Sequence, residues 1–413
     1  MKIIILDDDP TGIQTVHGCK LITQWDKETV AKVLDDDCNF FYVLTNTRAM
    51  TPTDAAAVTR SAMEAILSSP KIKNEKLYFI SRSDSCLRGH FPLETDVMRQ
   101  VLTENGFKVW DKTPFVPAFI EAGRVTIDGV HYMKEGERLI PVSETEFAHD
   151  NVFAYSTSVL HDYIKEKGAN PDNYEIVNAQ SYEELSAFCN QLTEATKNFD
   201  GAVVVRSSSS FPKAFAKVPD RELLSKDEIG LQETSQPHNR KRLGIIIVGS
   251  HVKKTTRQLN NLLSQEGVEG IELSVNRILN DDNYLNEVIR SLGDKVVRSG
   301  SPQSLNGAIV LFTSREEVRL DDANARQDLG QRISEFLVSI VRDLPFTPDY
   351  LIAKGGITSH DILTKGLNVK IATVMGQLVK NVPCIMTDKF PYIIFPGNVG
   401  DDNSLAEAYL KLK

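Results

Sequence analysis

Short, continuous runs of apolar residues recur along the chain and alternate with segments of helical periodicity. Runs of this length favour parallel strands that are covered on both faces. The predicted strands are residues 3–6, 40–44, 77–81, 115–117, 202–206, 244–248, 308–312, 350–353 and 392–395. Helical spacing of apolar residues predicts helices over residues 53–67, 183–197, 324–342 and 404–412. This alternation indicates an α/β fold with mainly parallel sheets.

The pattern weakens once, between residues 207 and 242. This stretch opens with four serines, contains three prolines and ends in a basic cluster. A new apolar strand at residues 244–248 then restarts the α/β pattern. Because 413 residues are about twice the usual domain length, we expect two α/β domains, residues 1–225 and 226–413.

Composition excludes several classes of protein. The net charge is −9 and no basic stripe stands out, which argues against nucleic acid and anionic membrane as partners. No apolar window is long enough for a membrane span, and the first apolar run is too short for a signal peptide. The five cysteines are scattered without C-x-x-C spacing, so neither a disulfide framework nor a zinc site is indicated. We expect a cytoplasmic protein.

The first predicted strand runs directly into Asp7, Asp8 and Asp9, and then into Thr11 and Gly12. Ligands of open α/β sheets bind at the carboxyl ends of the strands. Three adjacent carboxylates repel one another unless a metal, a cation or a hydroxyl donor is supplied. The sequence therefore predicts a catalytic or binding cluster here. The alternative is a solvated acidic turn whose Asp9 or Thr11 caps a helix.

A second polar cluster follows the third predicted strand. Arg82, Asp84 and Arg88 could clamp a carboxylate and orient a hydroxyl, since arginine binds carboxylates in bidentate fashion. A surface Arg–Asp pair is the alternative. Gly123 and Arg124 follow another strand end and could close over the same pocket, although this signal is weak by itself.

The second half contains two turns suited to phosphate. Gly249, Ser250 and His251 precede a lysine-rich helix start, where free N–H groups can bind an anion, although the full P-loop spacing is missing. Gly355-Gly356-Ile357-Thr358 follows a strand, and paired glycines let the backbone approach a phosphate closely. A serine-capped helix and a tight strand-to-helix turn are the respective alternatives.

A third glycine-rich turn follows the last predicted strand. It contains Gly397, Asn398 and Gly400. The next two residues, Asp401 and Asp402, either reach a magnesium ion or cap the final helix.

In this order, these segments resemble the four-carbon acid sugar kinase family, long known only as a domain of unknown function. The resemblance rests on five short motifs that extend over nearly the whole chain. They are Asp8-Asp9-Pro10-Thr11-Gly12, Asp84-Ser85-Cys86-Leu87-Arg88-Gly89, Gly249-Ser250, Gly355-Gly356-Ile357-Thr358-Ser359 and Gly397-Asn398-Val399-Gly400. Pro10, Cys86 and Val399 depart from the residues that are common in the family, so the substrate need not be threonate or erythronate.

The resemblance implies an ATP- and Mg²⁺-dependent kinase for a small sugar acid. It implies a sugar-acid-binding N-terminal domain, a nucleotide-binding C-terminal domain and an active-site cleft between them. The implied base is Asp8, Asp9 or Asp84. The implied acid-binding residues are Thr11, Arg82, Arg88, Gly123 and Arg124, and the implied nucleotide contacts are Ser250, Gly355, Gly356, Ile357, Thr358, Gly397, Asn398 and Gly400.

Two other functions fit parts of the sequence. Asp7-x-Asp9-x-Thr11 after a strand also matches a haloacid-dehalogenase-like phosphatase, in which the first aspartate is the nucleophile. A sugar-acid or nucleotide sensor without catalysis is the second alternative. The sequence leaves open the acid, the phosphorylated hydroxyl, the base and the oligomeric state, with a homodimer among the alternatives.

Overall fold

The protein divides into two compact units, Met1–Asp220 and Arg221–Lys413. The computed structural model describes residues 1–72, 75–231, 242–250, 252–298, 307–315 and 323–413, with the side chains of 297–298 and 323–327 excepted. His251 and residues 232–241 of the weakly patterned stretch lie outside the described residues. Within these ranges, no helix is both long and apolar enough to cross a membrane.

The first unit is built on a parallel sheet with the strand order β2-β3-β1-β4-β10-β5-β9. A separate antiparallel sheet contains β6, β7 and β8. The strands are β1 (Lys2–Asp7), β2 (Lys20–Ile22), β3 (Phe40–Leu44), β4 (Leu77–Arg82), β5 (Thr113–Val116), β6 (Arg124–Ile127), β7 (Val130–Glu135), β8 (Arg138–Pro141), β9 (Tyr174–Ile176) and β10 (Ala202–Ser207). Apart from Lys2, the central strands β1, β3, β4 and β10 are buried along their whole length, as their apolar runs require.

The helices of the first unit bury apolar stripes on one face. They are α1 (Lys27–Leu34), α2 (Pro52–Leu67), α3 (Leu93–Glu104), α4 (Leu160–Glu166), α5 (Tyr182–Ala195) and α6 (Ser210–Phe215). The predicted helix at residue 53 begins one residue earlier, because Thr51 is the N-cap and Pro52 occupies the first turn. The Thr51 hydroxyl accepts a hydrogen bond from the Asp54 N–H at 3.2 Å, which satisfies one free donor of the helix start.

The second unit has the strand order β12-β13-β11-β14-β17-β16-β15, of which the first five strands are parallel. The last two, β16 and β15, run antiparallel to their neighbours. The strands are β11 (Leu243–Val248), β12 (Val268–Leu273), β13 (Gly307–Thr313), β14 (Tyr350–Lys354), β15 (Ile371–Val379), β16 (Val382–Met386) and β17 (Pro391–Phe395). The helices are α7 (Lys253–Leu263), α8 (Val275–Asn280), α9 (Tyr284–Arg298), α10 (Ala323–Arg342), α11 (Gly356–Asp361) and α12 (Ser404–Leu412).

All nine predicted strands are present, so the predicted α/β class with mainly parallel sheets is confirmed. The short strands and the antiparallel pair β15–β16 were not predicted. In β15 buried and partly exposed residues alternate, so it lacks the continuous apolar run that marked the parallel strands. The prediction that the four serines open a linker is wrong, because Ser207–Ser210 are all buried at the end of β10.

Candidate active site

The strand register of the first unit brings four strand ends to one edge of the sheet. Asp7 of β1 lies beside Leu44 of β3 and beside Arg82 of β4, which in turn lies beside Ser207 of β10. The chain leaves β1 toward β2 and β3 on one side and later returns to β4 on the other. The edge between β1 and β4 is therefore a topological switch point, the place where open α/β sheets bind ligands.

Asp8 is the most buried of the predicted catalytic residues, with 1 % of its side chain exposed. It accepts two hydrogen bonds from the guanidinium of Arg48, one of them from Nε at 3.1 Å, and another from the Ser83 hydroxyl. Arg48 follows β3 at the same sheet edge. It supplies the cation that adjacent carboxylates need.

Asp9 shares Arg48 with Asp8. Its Oδ2 accepts a bond from Arg48 Nη1 at 3.2 Å, and its Oδ1 accepts from both the hydroxyl and the N–H of Thr11, at 2.5 and 2.8 Å. Burial acts to raise the pKa of Asp9, but Arg48 and Thr11 together hold it below its usual value. Its side chain is 23 % exposed, against 12 % for Asp84, so Asp9 is the carboxylate most open to a ligand.

Asp84 forms a bidentate pair with Arg88. Arg88 Nε and Nη2 donate to its two oxygens at 2.9 and 3.1 Å, and Arg48 Nη1 lies 3.8 Å away. Burial acts to raise the pKa of Asp84, but the two guanidinium groups hold it well below its usual range. Arg88 also lies 3.5 Å from Asp150 and packs on the ring of Phe147. Arg48 thus links all three predicted catalytic carboxylates.

Asp7 and Arg82 form a buried ion pair beneath this cluster. Arg82 Nη1 lies 3.1 Å from Asp7 Oδ1, and Arg82 Nη2 donates to Ser209 Oγ at 2.8 Å. Asp7 Oδ2 has no hydrogen-bond partner among the described residues, and a Cβ added at Gly12 would overlap the Asp7 carboxylate. Burial raises the pKa of Asp7 to about 7 against the opposing effect of Arg82, and the charges of Asp8 and Asp9 add to the rise.

This pKa shift predicts a pH-dependent stability. A carboxyl whose folded pKa is raised stabilises the fold below its unfolded pKa near 3.8, and that stabilisation is lost as pH rises through the folded pKa of about 7. Asp7→Asn lacks this titration. We therefore expect its free energy of unfolding, relative to that of wild type, to rise as the pH is raised from 4.5 to 8. The gain should be a few kcal/mol, at about 1.4 kcal/mol per pKa unit.

Urea unfolding followed by tryptophan fluorescence measures this difference, because both tryptophans, Trp25 and Trp110, lie in the first unit. Burial and the Asp8 charge also raise the pKa of Glu94, but Glu94 is present in both proteins and cancels in the comparison. Parallel stability curves for wild type and Asp7→Asn across this pH range would contradict the shifted titration.

The loop between β4 and α3 is held from beneath by buried side chains. His131 Nε2 donates to the Ser85 carbonyl at 2.8 Å, and Tyr163 donates to the Leu87 carbonyl at 2.6 Å. Burial lowers the pKa of His131 to about 4, so the neutral ring also accepts from the Thr126 hydroxyl at Nδ1. These contacts fix the loop that carries Asp84 and Arg88.

Gly123 and Arg124 lie at the start of β6. Gly123 ends a short helical turn with φ of 72°, a conformation that favours glycine. Arg124 Nη1 donates to the Ala122 carbonyl, and its Nε is buried without a partner among the described residues. The charge of Arg124 also acts on Cys86 and His131, which places the guanidinium near the loop after β4.

In the second unit, three turns converge on Ser250. A Cβ added at Gly355 would lie 3.6 Å from the Ser250 Cβ, and one added at Gly397 would lie 3.5 Å from the Ser250 hydroxyl. A Cβ at Gly249 would overlap the hydroxyl of Thr358. Gly355 has φ of 118°, which favours glycine, and no side chain caps α11. The structure thus brings together the predicted turns at 249–250, 355–358 and 397–400.

The two acidic residues after Gly400 already have partners. Asp401 accepts hydrogen bonds from the Asn403 N–H and the Ser404 hydroxyl, at 2.9 and 2.8 Å, at the start of α12. Asp402 pairs with Arg257 of α7 at 2.8 Å on the surface. Across the described residues, no group of three or more His, Cys, Asp or Glu side chains is arranged to hold a metal ion.

Comparison with known proteins gives a family match for each of the two units. Residues 3–209 match a family described as a sugar-binding N-terminal domain, and residues 245–405 match a nucleotide-binding C-terminal domain. The chain belongs to the four-carbon acid sugar kinase family. D-Threonate kinase from Salmonella typhimurium is 25% identical over 438 residues, which cover 99% of this chain and 97% of that protein.

Two crystal structures share the family fold. A Haemophilus influenzae protein of the same domain-of-unknown-function family matches with a TM-score of 0.64 at 15% identity, covering 99% of this chain and 100% of that one. A Salmonella typhimurium LT2 protein with a provisional tRNA synthase name matches with a TM-score of 0.69 at 16% identity, covering 100% and 99%. At these identities the likeness establishes the fold alone.

Sequence reasoning missed several residues of this family member's site. Arg48 follows a predicted strand at the ligand-binding edge, and this position in the sequence could have marked it as a site residue. Ser209 accepts a hydrogen bond from Arg82, but it was not predicted because it belongs to a run of serines whose composition is typical of a linker. Glu94 of α3 accepts hydrogen bonds from Thr47 and Ser81, at 2.5 and 3.3 Å, and nothing in the local sequence marks a helical glutamate as buried.

Proposed function

We propose that this family member is an ATP-dependent kinase that phosphorylates a hydroxyl of a small sugar acid. The acid would be of the four-carbon type, such as threonate, erythronate or an oxo-tetronate. The main support is the pairing, in one chain, of a carboxylate–guanidinium cluster around Arg48 with glycine turns around Ser250. The D-threonate kinase relative supports the same reaction class. A metabolic kinase of this kind would act in the cytoplasm.

In this proposal the first unit binds the acid at the edge between β1 and β4. Arginines bind carboxylates well, and Arg48 and Arg88 are the partly exposed guanidinium groups of the cluster. Arg82 is fully buried against Asp7, so we assign it a supporting role. Thr11 orients Asp9, and Gly123 and Arg124 contribute the loop beside Cys86.

We assign the role of base to Asp9. A base must lie within hydrogen-bond reach of the hydroxyl whose proton it takes. Asp9 Oδ2 accepts a single bond, from Arg48, and its side chain is the most exposed of the three candidates. Asp8 and Asp84 are each bound by two donors of one guanidinium group, so we assign them the role of fixing the arginines.

The second unit would bind the nucleotide at the turns around Ser250. Phosphoryl transfer relies on positioning and charge neutralisation, and free N–H groups of glycine turns suit phosphate oxygens. Mg²⁺ would be held mainly by the phosphates, as this ion often is, because Asp401 and Asp402 are engaged in a helix cap and an ion pair. In-line transfer requires the hydroxyl of the acid to meet the γ-phosphate, so the proposal requires the two bound ligands to come together during turnover.

One structural observation disfavours the phosphatase alternative. That mechanism needs Asp7 as an accessible nucleophile, whereas its side chain has no exposed surface and is paired with Arg82. Phosphate release from p-nitrophenyl phosphate in the absence of ATP tests this alternative directly. The non-catalytic alternative predicts ATP binding by calorimetry without any acid-dependent turnover.

The test of the proposal is a panel of tetronates, their oxo-derivatives and longer aldonates, assayed for acid-dependent ADP formation. We expect at least one four-carbon acid to raise ADP formation well above the rate without acid. The phosphorylated product then identifies the hydroxyl. A panel in which no acid stimulates ADP formation, with ATP binding intact, would contradict the kinase assignment and favour a sensor.

A further inference from the structure

Lys354 is a fully buried lysine at the carboxyl end of β14, directly before Gly355. Its ammonium donates hydrogen bonds to the carbonyls of Pro396 and Gly397, at 2.5 and 3.0 Å. It also lies 4.3 Å from the ring centroid of Phe395. Burying a charge in this way is costly unless it has a specific use, and two carbonyl acceptors offset only part of the cost.

Lys354 is one of four side chains that hold the carbonyls of the 396–401 loop. Three come from α7. Thr255 donates to the Gly397 carbonyl at 3.2 Å and Lys254 to the Asn398 carbonyl at 3.1 Å. Gln258 Nε2 donates to the carbonyls of Val399 and Asp401, at 3.0 and 2.7 Å. Five of the six carbonyls of this loop are therefore turned toward β14 and α7.

The backbone N–H groups of the same loop, unlike its carbonyls, are largely without hydrogen-bond partners within the described ranges. In the described part of the chain, the backbone N–H groups of residues 397–400 donate to no protein acceptor. A loop whose carbonyls are bound on one side and whose N–H groups are free can bind an anion. Lys354 is the buried cation among the donors that set this orientation.

We propose that Lys354 is a positioning residue for the nucleotide phosphates. Its ammonium holds the Pro396 and Gly397 carbonyls so that the N–H groups of the loop are available to a polyphosphate. It also places a positive charge beneath the phosphate site, where water cannot screen it. This inference rests on the proposed function, because it requires the second unit to bind ATP.

The inference implies that nucleotide affinity depends on pH. Burial, with a smaller contribution from the Lys254 charge, lowers the pKa of Lys354 to about 7. The other charged groups on the neighbouring elements have partners of their own. In the adjacent α11, Asp361 contacts both His360 and Lys365. Arg315, after β13, donates to Ser250 and Thr256.

A bound polyphosphate favours the charged ammonium, so the site binds best when Lys354 is protonated. Affinity should therefore fall as pH rises through about 7. The loss should approach about tenfold per pH unit above that value, because the competent fraction falls by that factor.

The test is isothermal titration of ATP with Mg²⁺ at pH 6.5, 7.5 and 8.5. The proteins are wild type, Lys354→Met and Lys411→Met as the matched control. We expect Lys354→Met to bind ATP roughly 10- to 100-fold more weakly than wild type at pH 6.5. Its affinity relative to wild type should recover as pH rises, because wild type loses the ammonium. Lys411 is also partly exposed and donates to a backbone carbonyl, that of Leu378, but it does not contact the 396–401 loop, so Lys411→Met should keep the wild-type pH dependence.

Ionisation of ATP itself is common to all three proteins and cancels in their ratios. Methionine replaces a buried charge with an apolar chain of similar length, so we expect Lys354→Met to fold. Equal affinity and equal pH dependence in wild type and Lys354→Met would overturn the inference and leave the kinase proposal intact. A wild-type protein that binds no ATP would instead refute the proposed function, and the inference with it.

Discussion

Replacing Asp9 with asparagine should lower kcat by about 10²- to 10⁴-fold, the usual contribution of a positioned base. Asparagine keeps the shape of the side chain and can still accept the Thr11 hydrogen bonds, so the loop should be retained. What it loses is the carboxylate to which we assign the proton of the attacking hydroxyl. The affinity for ATP should change by no more than about twofold, since the turns to which we assign the nucleotide belong to the other unit. Steady-state ADP formation and ATP calorimetry measure the two effects separately.

Two comparisons make this prediction specific to Asp9. Asp172→Asn changes an exposed aspartate elsewhere in the first unit and should leave kcat unchanged. Asp84→Asn should raise KM for the acid more than it lowers kcat, because Asp84 is assigned to holding Arg88 in place. Full activity of Asp9→Asn, with kcat lost instead in Asp8→Asn or Asp84→Asn, would transfer the role of base to that residue.

Replacing Arg48 with methionine should have the largest effect on the first unit. Asp8 would remain buried without the two guanidinium bonds that it accepts, and Asp9 would lose its charged partner. Removing one member of a buried ion pair costs roughly 3–5 kcal/mol. We expect a decrease of this size in the free energy of unfolding, measured by urea with tryptophan fluorescence. Acid-dependent ADP formation should fall by at least about 100-fold.

The pH dependence and a matched arginine distinguish this effect from a general loss of packing. The deficit of Arg48→Met should shrink in acid, because Arg48 lowers the pKa of Asp9 in wild type and that stabilisation is lost as the pH falls and Asp9 becomes protonated. Arg60 also contacts two carboxylates, Glu64 and Glu104, but at the surface. Arg60→Met should change the free energy of unfolding much less than Arg48→Met does. Similar losses in both variants at all pH values would show that Arg48 is not the charge that organises the cluster.

Together, these predictions assign different tasks to chemically similar residues. Asp7, Asp8 and Asp9 are adjacent in the chain, yet the first is packed against Gly12, the second is saturated by Arg48 and Ser83, and the third is partly exposed. Burial, together with the charges of Asp8 and Asp9, raises the pKa of Asp7, whereas burial acts to raise the pKa of Asp9 but Arg48 and Thr11 hold it below its usual value. Environments that separate the pKa values of neighbouring carboxylates are how proteins give them separate roles.

The sequence determined the architecture and the sheet edges at which its polar motifs gather. Continuous apolar runs can only be satisfied by strands covered on both faces, so the nine parallel-type strands followed from local pattern alone. Polar motifs directly after those strands then had to gather at the carboxyl edges of the sheets. Asp8, Asp84, Ser250 and Gly355 were predicted as site residues in this way, because both the strand and the motif are local features.

The tertiary structure decided which groups meet and which remain open. Arg48 binds carboxylates 36 to 40 residues away in the chain, and Lys354 binds carbonyls more than 40 residues away. The sequence of Ser207–Ser210 predicts a linker, whereas the register of β10 places Ser207 beside Arg82 at the sheet edge. Burial and pairing depend on contacts between distant segments, and only those contacts fix the charge of a buried group. No local pattern contains that information.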